Sequence, residues 1–197
     1  MANLMVPHQV TIDELVESYI AHAIKNAANV IASLQQLGKA VYVLSAGLYP
    51  AVSGFAKRLG VLEQNIHAVP LYFDEQYQYC DFDHHSPLVN NNGKCQIVQE
   101  IKQMHKRVLL MGDGMNDVAT KHLLERFVGY GGAFERPRMA VEEDFYIAVN
   151  DLTALLPLCL TAIEMQEFMQ QHPHLYHQAE QHLQRKQIII NLKKESV

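Results

Sequence analysis

One stretch limits this chain more than any other. It is Gly112-Asp113-Gly114-Met115-Asn116-Asp117-Val118-Ala119-Thr120, entered from the apolar run Val108-Leu109-Leu110-Met111. An apolar run, glycine-flanked carboxylates and then an amphipathic segment describe a buried parallel strand that opens into a loop at its C-terminal end. Open α/β sheets hold their ligands at that edge. Two carboxylates in a dry crevice repel, so Asp113 and Asp117 need a cation, a lysine or water. A hard metal such as Mg²⁺, held by carboxylate oxygen and waters beside a phosphate, meets that need. An Asp-Gly turn with solvated carboxylates is the plainer alternative.

The rest of the composition sets the class. A chain of 197 residues makes one domain, with room for a small appendage. Hydrophobic residues at 49% and charged residues at 19% describe a globular chain. A net charge of −5 argues against a nucleic-acid partner. No apolar run approaches the ~20 residues that a membrane span needs. Met1 to Pro7 lacks the basic flank and apolar stretch of a signal peptide. Cys80, Cys95 and Cys159 are far apart and odd in number, which points to a reducing, cytoplasmic setting.

Ile12 to Leu37 has helical periodicity, with a break expected near Asn26–Asn29. Thr11 and Glu14 suit its start and Gly38 its end. Lys39 to Ser45 reads as a strand that is apolar on both faces, as a doubly covered parallel strand requires. Ser45-Ala46-Gly47 follows, and then a helix from Pro50. A hydroxyl at a strand end, beside the N–H groups of a turn, makes an anion site, although most such sequences are only turns. Ile66 to Phe73 reads as a strand, and Asp74 to Asn92 as a loop or hairpin. Lys94 then stands at a helix start, where the helix dipole disfavours a cation. That conflict suggests a lysine serving an anion; a solvated lysine is the commoner case.

Strands at Arg107–Met111, Phe127–Tyr130 and Phe145–Val149 alternate with helical patterns, which predicts βαβ units and a mostly parallel sheet. From Asp151 a helical region runs to about Arg185, kinked at Pro157 and Pro173. Gln187 to Leu192 reads as a further strand.

Three of these features occur together in one known arrangement. Val41 to Gly47, Gly93-Lys94 and Met111 to Asp117 resemble the second, third and fourth motifs of the haloacid dehalogenase superfamily, in its phosphoserine-phosphatase-like branch. Phe127 to Gly132 and Phe145-Tyr146-Ile147 are similar to the same branch. The resemblance covers roughly residues 27 to 157. It implies a Rossmann-type α/β fold in three parts: a helical lead-in over 1–38 left from a cap, a core over 39–150, and a C-terminal helical region over 151–197.

The resemblance also implies roles. Ser45 would donate to a phosphoryl oxygen, with the backbone of Ala46 and Gly47 beside it. Lys94 would neutralise phosphoryl charge, Asp113 would ligate Mg²⁺, Asp117 would hold a metal-bound water or Lys94, and Asn116 would orient the loop. The implied function is Mg²⁺-dependent hydrolysis of a small phosphorylated metabolite.

One part of the pattern is missing. Family members begin with a strand ending in Asp-x-Asp, whose first aspartate is the nucleophile. Residues 1 to 11 hold no aspartate, and Asp81-x-Asp83 follows no apolar strand. In the family that strand lies between those preceding Ser45 and Asp113. Ile188-Ile189-Ile190 is one candidate to fill its place, with Asn191 standing for the nucleophile. A preceding segment, or a second copy in a homodimer, is another. The chain therefore reads as the C-terminal part of a phosphatase, or as an inactive binding or regulatory module with the same fold. His172, His174, His177 and His182 cluster near the C-terminus. A metal held by His174 and His177 is a minor reading beside a solvated helix face that binds a partner.

Overall fold

The computed structural model describes residues 9–191. Helix α1 (Gln9–Ala21) buries Ile12 and Val16 and packs on the helix over Tyr49–Arg58. Thr11 lies inside α1, not at its start. The helical stretch divides where Asn26–Asn29 suggested: α1 ends at Ala21, and α2 (Ala27–Gln36) starts after Asn26, which has φ 61°. Asparagine tolerates that left-handed geometry. Here its side-chain amide also bonds Asp151 and Gln178, so a tertiary contact fixes the break. Gly38, with φ 74°, closes α2 as expected.

Strand β1 (Val43–Leu48) starts later than the sequence pattern suggests and leads into α3 (Tyr49–Arg58). It pairs in parallel with β2 (Ile66–Val69). The apolar stretch 66–73 is cut at Pro70, which has no N–H for a ladder. Beyond it, β3 (Leu71–Phe73) turns back as an antiparallel hairpin with β4 (Tyr79–Phe82). Asp74 Oδ1 accepts from the backbone N–H groups of Gln76 and Gln78 at its tip. Helix α4 (Gly93–Met104) then returns along the domain, burying Ile97, Val98 and Ile101.

The second half holds β5 (Leu109–Gly112), α5 (Met115–Val118), β6 (Arg126–Tyr130), α6 (Pro137–Glu142) and β7 (Phe145–Ile147). Asp151 caps a 3₁₀ turn over Leu152–Leu155 by accepting from Thr153 N. Three helices follow: α7 (Leu156–Cys159), α8 (Ala162–Gln171) and α9 (Pro173–Gln184). Thr161 and Glu164 form a capping box at the start of α8. The chain then enters β8 (Ile188–Ile190).

β5, β6 and β7 are parallel, and β8 joins β7 antiparallel at the outer edge. This overturns the expectation that Ile188–Ile190 inserts beside the Ser45 strand. It also removes Asn191 as a nucleophile: its side chain donates to the carbonyls of Ala140 and Glu143, at the end of α6.

β1–β2 and β5–β8 are separate sheets that share one core. Val30, Ile31, Ala68, Val128, Ile147, Leu156 and Phe168 belong to the same buried cluster. Yet β1 and β5 are not hydrogen-bonded to each other, and each has a strand partner on one side only.

Candidate active site

The loop after β5 is built by close packing. A Cβ on Gly112 would lie 2.4 Å from Asp117 Cβ and Cγ, so only glycine lets α5 turn back over the strand end. Asp117 thereby becomes buried, and its Oδ2 accepts from Gly114 N at 3.0 Å. Its Oδ1 meets Lys94 Nζ at 2.5 Å. The Lys94 side chain is 16% exposed and the Asp117 side chain 10%, so a buried charge pair joins α4 to α5. A second glycine sets the lysine: a Cβ on Gly93 would lie 1.8 Å from the Pro87 carbonyl oxygen. The helix start is thus pressed against the turn at Leu88, which packs on β1 and β2.

Ser45 lies within β1 and is half-buried. Its Oγ accepts from Gly47 N at 3.0 Å, leaving its own proton free to donate. Ala46 is exposed beside it. Asn116 is exposed and makes no side-chain hydrogen bond among the described residues. Of the residues expected to act together, Lys94 and Asp117 are in direct contact.

Asp113 has a partner that the sequence reading missed. Arg136 Nη2 lies 2.7 Å from its Oδ2, with the two side chains 43% and 53% exposed. Arg136 precedes Pro137, at the start of α6 and on the same sheet edge as Asp113. A basic residue just before a helix-starting proline was the available signal. Tyr130 is the second missed group. Burial first, and the charge of Asp113 second, push its phenol up to about 12. Its hydroxyl donates to Asn150 Oδ1 at 2.9 Å.

Among the described residues, no three His, Cys, Asp or Glu side chains gather to hold a metal. Mg²⁺ needs only one or two protein carboxylates, with waters and phosphate completing its octahedron. Asp113 suits one such place, and Asp117 is already bound by Lys94. The residues present fit Mg²⁺ as part of its donor set.

The C-terminal histidines do different work. His182 is buried, bonds Gln187 Oε1 at 2.6 Å through Nδ1, and lies 3.6 Å from Asp151. His177 is exposed near Glu180. Asp81 and Asp83 flank Phe82 at the end of the hairpin, where Asp81 bonds His84 and Asp83 bonds the His85 N–H.

Two parallel-paired strands that end in a serine–glycine loop and a carboxylate loop, the latter bonded to a lysine at a helix start, make an α/β site at strand ends, where such folds bind ligands. Residues 4–121 match the family model for haloacid dehalogenase-like hydrolases, and the chain belongs to that family. It falls in the phosphoserine-phosphatase-like branch. The phosphoserine phosphatase of Drosophila melanogaster is 25% identical over 148 residues, covering 74% of this chain and 55% of its own length. That of Bos taurus is 24% identical over 155 residues, covering 78% and 68%. The chain therefore spans little more than half of the Drosophila relative. Among solved structures, a phosphoserine phosphohydrolase-like protein from Francisella tularensis aligns with TM-score 0.67 and 18% identity, over 78% of this chain and 71% of that one. A substrate-bound phosphoserine phosphatase aligns with TM-score 0.57 and 22% identity, over 68% and 63%. These likenesses concern the fold.

Proposed function

We propose that this chain carries the phosphate- and metal-binding half of a Mg²⁺-dependent phosphomonoester hydrolase. The buried Lys94–Asp117 pair supports this most directly. A lysine held by a carboxylate at a strand end, where ligands bind, is a preset positive charge for a phosphoryl group. In this reading Ser45 donates to a phosphoryl oxygen, with the backbone of Ala46 and Gly47 alongside. Asn116 orients the loop. Asp113 holds Mg²⁺, which would neutralise phosphoryl charge and orient the ester. The substrate class is a small phosphorylated metabolite, handled in the cytoplasm. The relatives' names make phosphoserine the first compound to try.

Among the described residues the Asp-x-Asp at a strand end is Asp81-Phe82-Asp83, whose carboxylates bond their own turn on the separate β3–β4 hairpin, and this favours a second reading, a phosphate-binding module without turnover. The test is hydrolysis of an aryl phosphate and of phosphoserine, with and without Mg²⁺, beside Asp113→Asn and Lys94→Ala. Mg²⁺-dependent turnover lost in both variants supports the enzyme. Phosphate binding without turnover supports the module.

A further inference from the structure

The ladder between β1 and β2 breaks at the site. Leu44 pairs with His67 and Leu48 with Val69, so Ser45, Ala46 and Gly47 stand opposite the single residue Ala68. A bulge of this kind lifts a strand off its neighbour and re-aims its side chains. Beside it lies a cavity of about 500 Å³, lined on the β1 side by Ala46 and Leu48. That volume falls in the roughly 300–1,000 Å³ range of small-molecule sites. Leu71, Tyr79 and Phe82 of the β3–β4 hairpin close another side. Val69 and Leu88 give it a buried apolar interior, whereas Leu48 and Val89, 37% and 40% exposed, give it an apolar open rim. Among the described residues, every lining side chain is apolar apart from the Tyr79 hydroxyl.

Two walls of this cavity lead directly to the candidate site. Ala46 lies between Ser45 and Gly47, whose N–H bonds the Ser45 Oγ at 3.0 Å. Leu88 and Val89 belong to the turn over Pro87–Val89, and that turn presses on Gly93, the residue before Lys94. We propose that the cavity takes the organic group of the phosphomonoester and selects an uncharged alkyl or aryl group. This inference rests on the phosphatase reading, in which Ser45 and Lys94 hold the phosphoryl group.

The chemistry of the lining sets the preference. The organic part of phosphoserine carries an ammonium and a carboxylate, and these apolar walls offer neither of them a partner to replace water. An alkyl chain loses nothing there and gains from each methylene taken out of water, by up to about fourfold in affinity. Specificity then resides in the β3–β4 hairpin and the turn at Leu88, while the phosphoryl group is held by the strand ends and Lys94.

The experiment titrates the full chain, in Mg²⁺, with methyl-, butyl- and hexylphosphonate and with the phosphonate counterpart of phosphoserine. Their C–P bonds resist hydrolysis, so binding is read apart from turnover. Calorimetry gives Kd, and methyl NMR follows Leu48 and Val89. We expect hexylphosphonate to bind at least about tenfold more tightly than methylphosphonate. The phosphoserine counterpart should bind more weakly than butylphosphonate, and the Leu48 and Val89 methyl signals should move with the longer ligands only. Val89→Asp should cut the hexyl-to-methyl affinity ratio by about threefold or more. Equal affinity along the alkyl series overturns the proposal and leaves the phosphatase reading standing, as does tightest binding by the phosphoserine counterpart. No binding of any phosphonate overturns the phosphatase reading and the proposal with it. Leu48 and Val89 signals that move with protein concentration alone mean that a second copy covers the cavity, which also overturns the proposal.

Discussion

Lys94 Nζ stands 2.5 Å from Asp117 Oδ1, and that contact ties the helix after the hairpin to the loop after β5. It resolves the conflict of a cation at a helix N-terminus, because the carboxylate offsets the dipole and the burial together. Breaking such a pair strands a charge. Lys94→Ala is expected to cost about 3 kcal/mol. Asp117→Asn should cost a similar amount, and the double variant less than the sum, because the two changes remove one interaction. Urea denaturation of the four proteins measures this; strict additivity would show that the pair is not coupled.

Gly112→Ala places a methyl group on the Asp117 side chain. The strand end and α5 must separate, at a cost of about 1–3 kcal/mol, as for other overpacked sites. Lys94 then loses its close partner. A crystal structure of the variant with the Lys94–Asp117 distance unchanged would contradict this.

Arg136 competes with a cation for Asp113. An exposed ion pair contributes about 0.2–1 kcal/mol. Arg136→Ala should therefore strengthen Mg²⁺ binding by no more than about fivefold. Titration calorimetry reads the change, and weaker binding in the variant would mean that Arg136 supports the metal site.

Glu164 is held down at about 2, first by the hydrogen bond from Lys39 and then by the N–H of Thr161. A depressed carboxylate stabilises the fold above its ordinary value of 4.5 and loses that contribution as pH falls through about 2. Lys39→Ala should raise the Glu164 titration toward 4.5 and flatten stability between pH 5 and 2. Carboxyl-carbon NMR follows it directly.

Tyr130 behaves in the opposite sense. Its phenol, raised from 10 to about 12, favours the folded state at neutral pH and loses that contribution as pH rises from 10 toward 12. Ultraviolet titration should show a late tyrosine near 12 that disappears in Tyr130→Phe. In Asp113→Asn it should titrate earlier, because a neighbouring negative charge is gone.

The linear chain determined the order of strands and helices and the three site motifs, because each depends on neighbours in sequence. Apolar periodicity placed β5 and β6 to within a residue or two. Gly-Asp-Gly announced a loop at a strand end, and Lys94 marked itself by its poor fit to a helix dipole. The tertiary structure decided what depends on distant partners. The asparagines at 26 and 29 marked the helix break, but the bonds from Asn26 to Asp151 and Gln178 that fix it join residues more than 100 positions apart. Ile188–Ile190 could have paired with any open edge, and β7 took it. Arg136 reaches Asp113 only because β5, β6 and β7 lie side by side. How far β1 and β5 are buried was likewise decided by the tertiary structure, because it depends on how the two sheets and their covering helices pack.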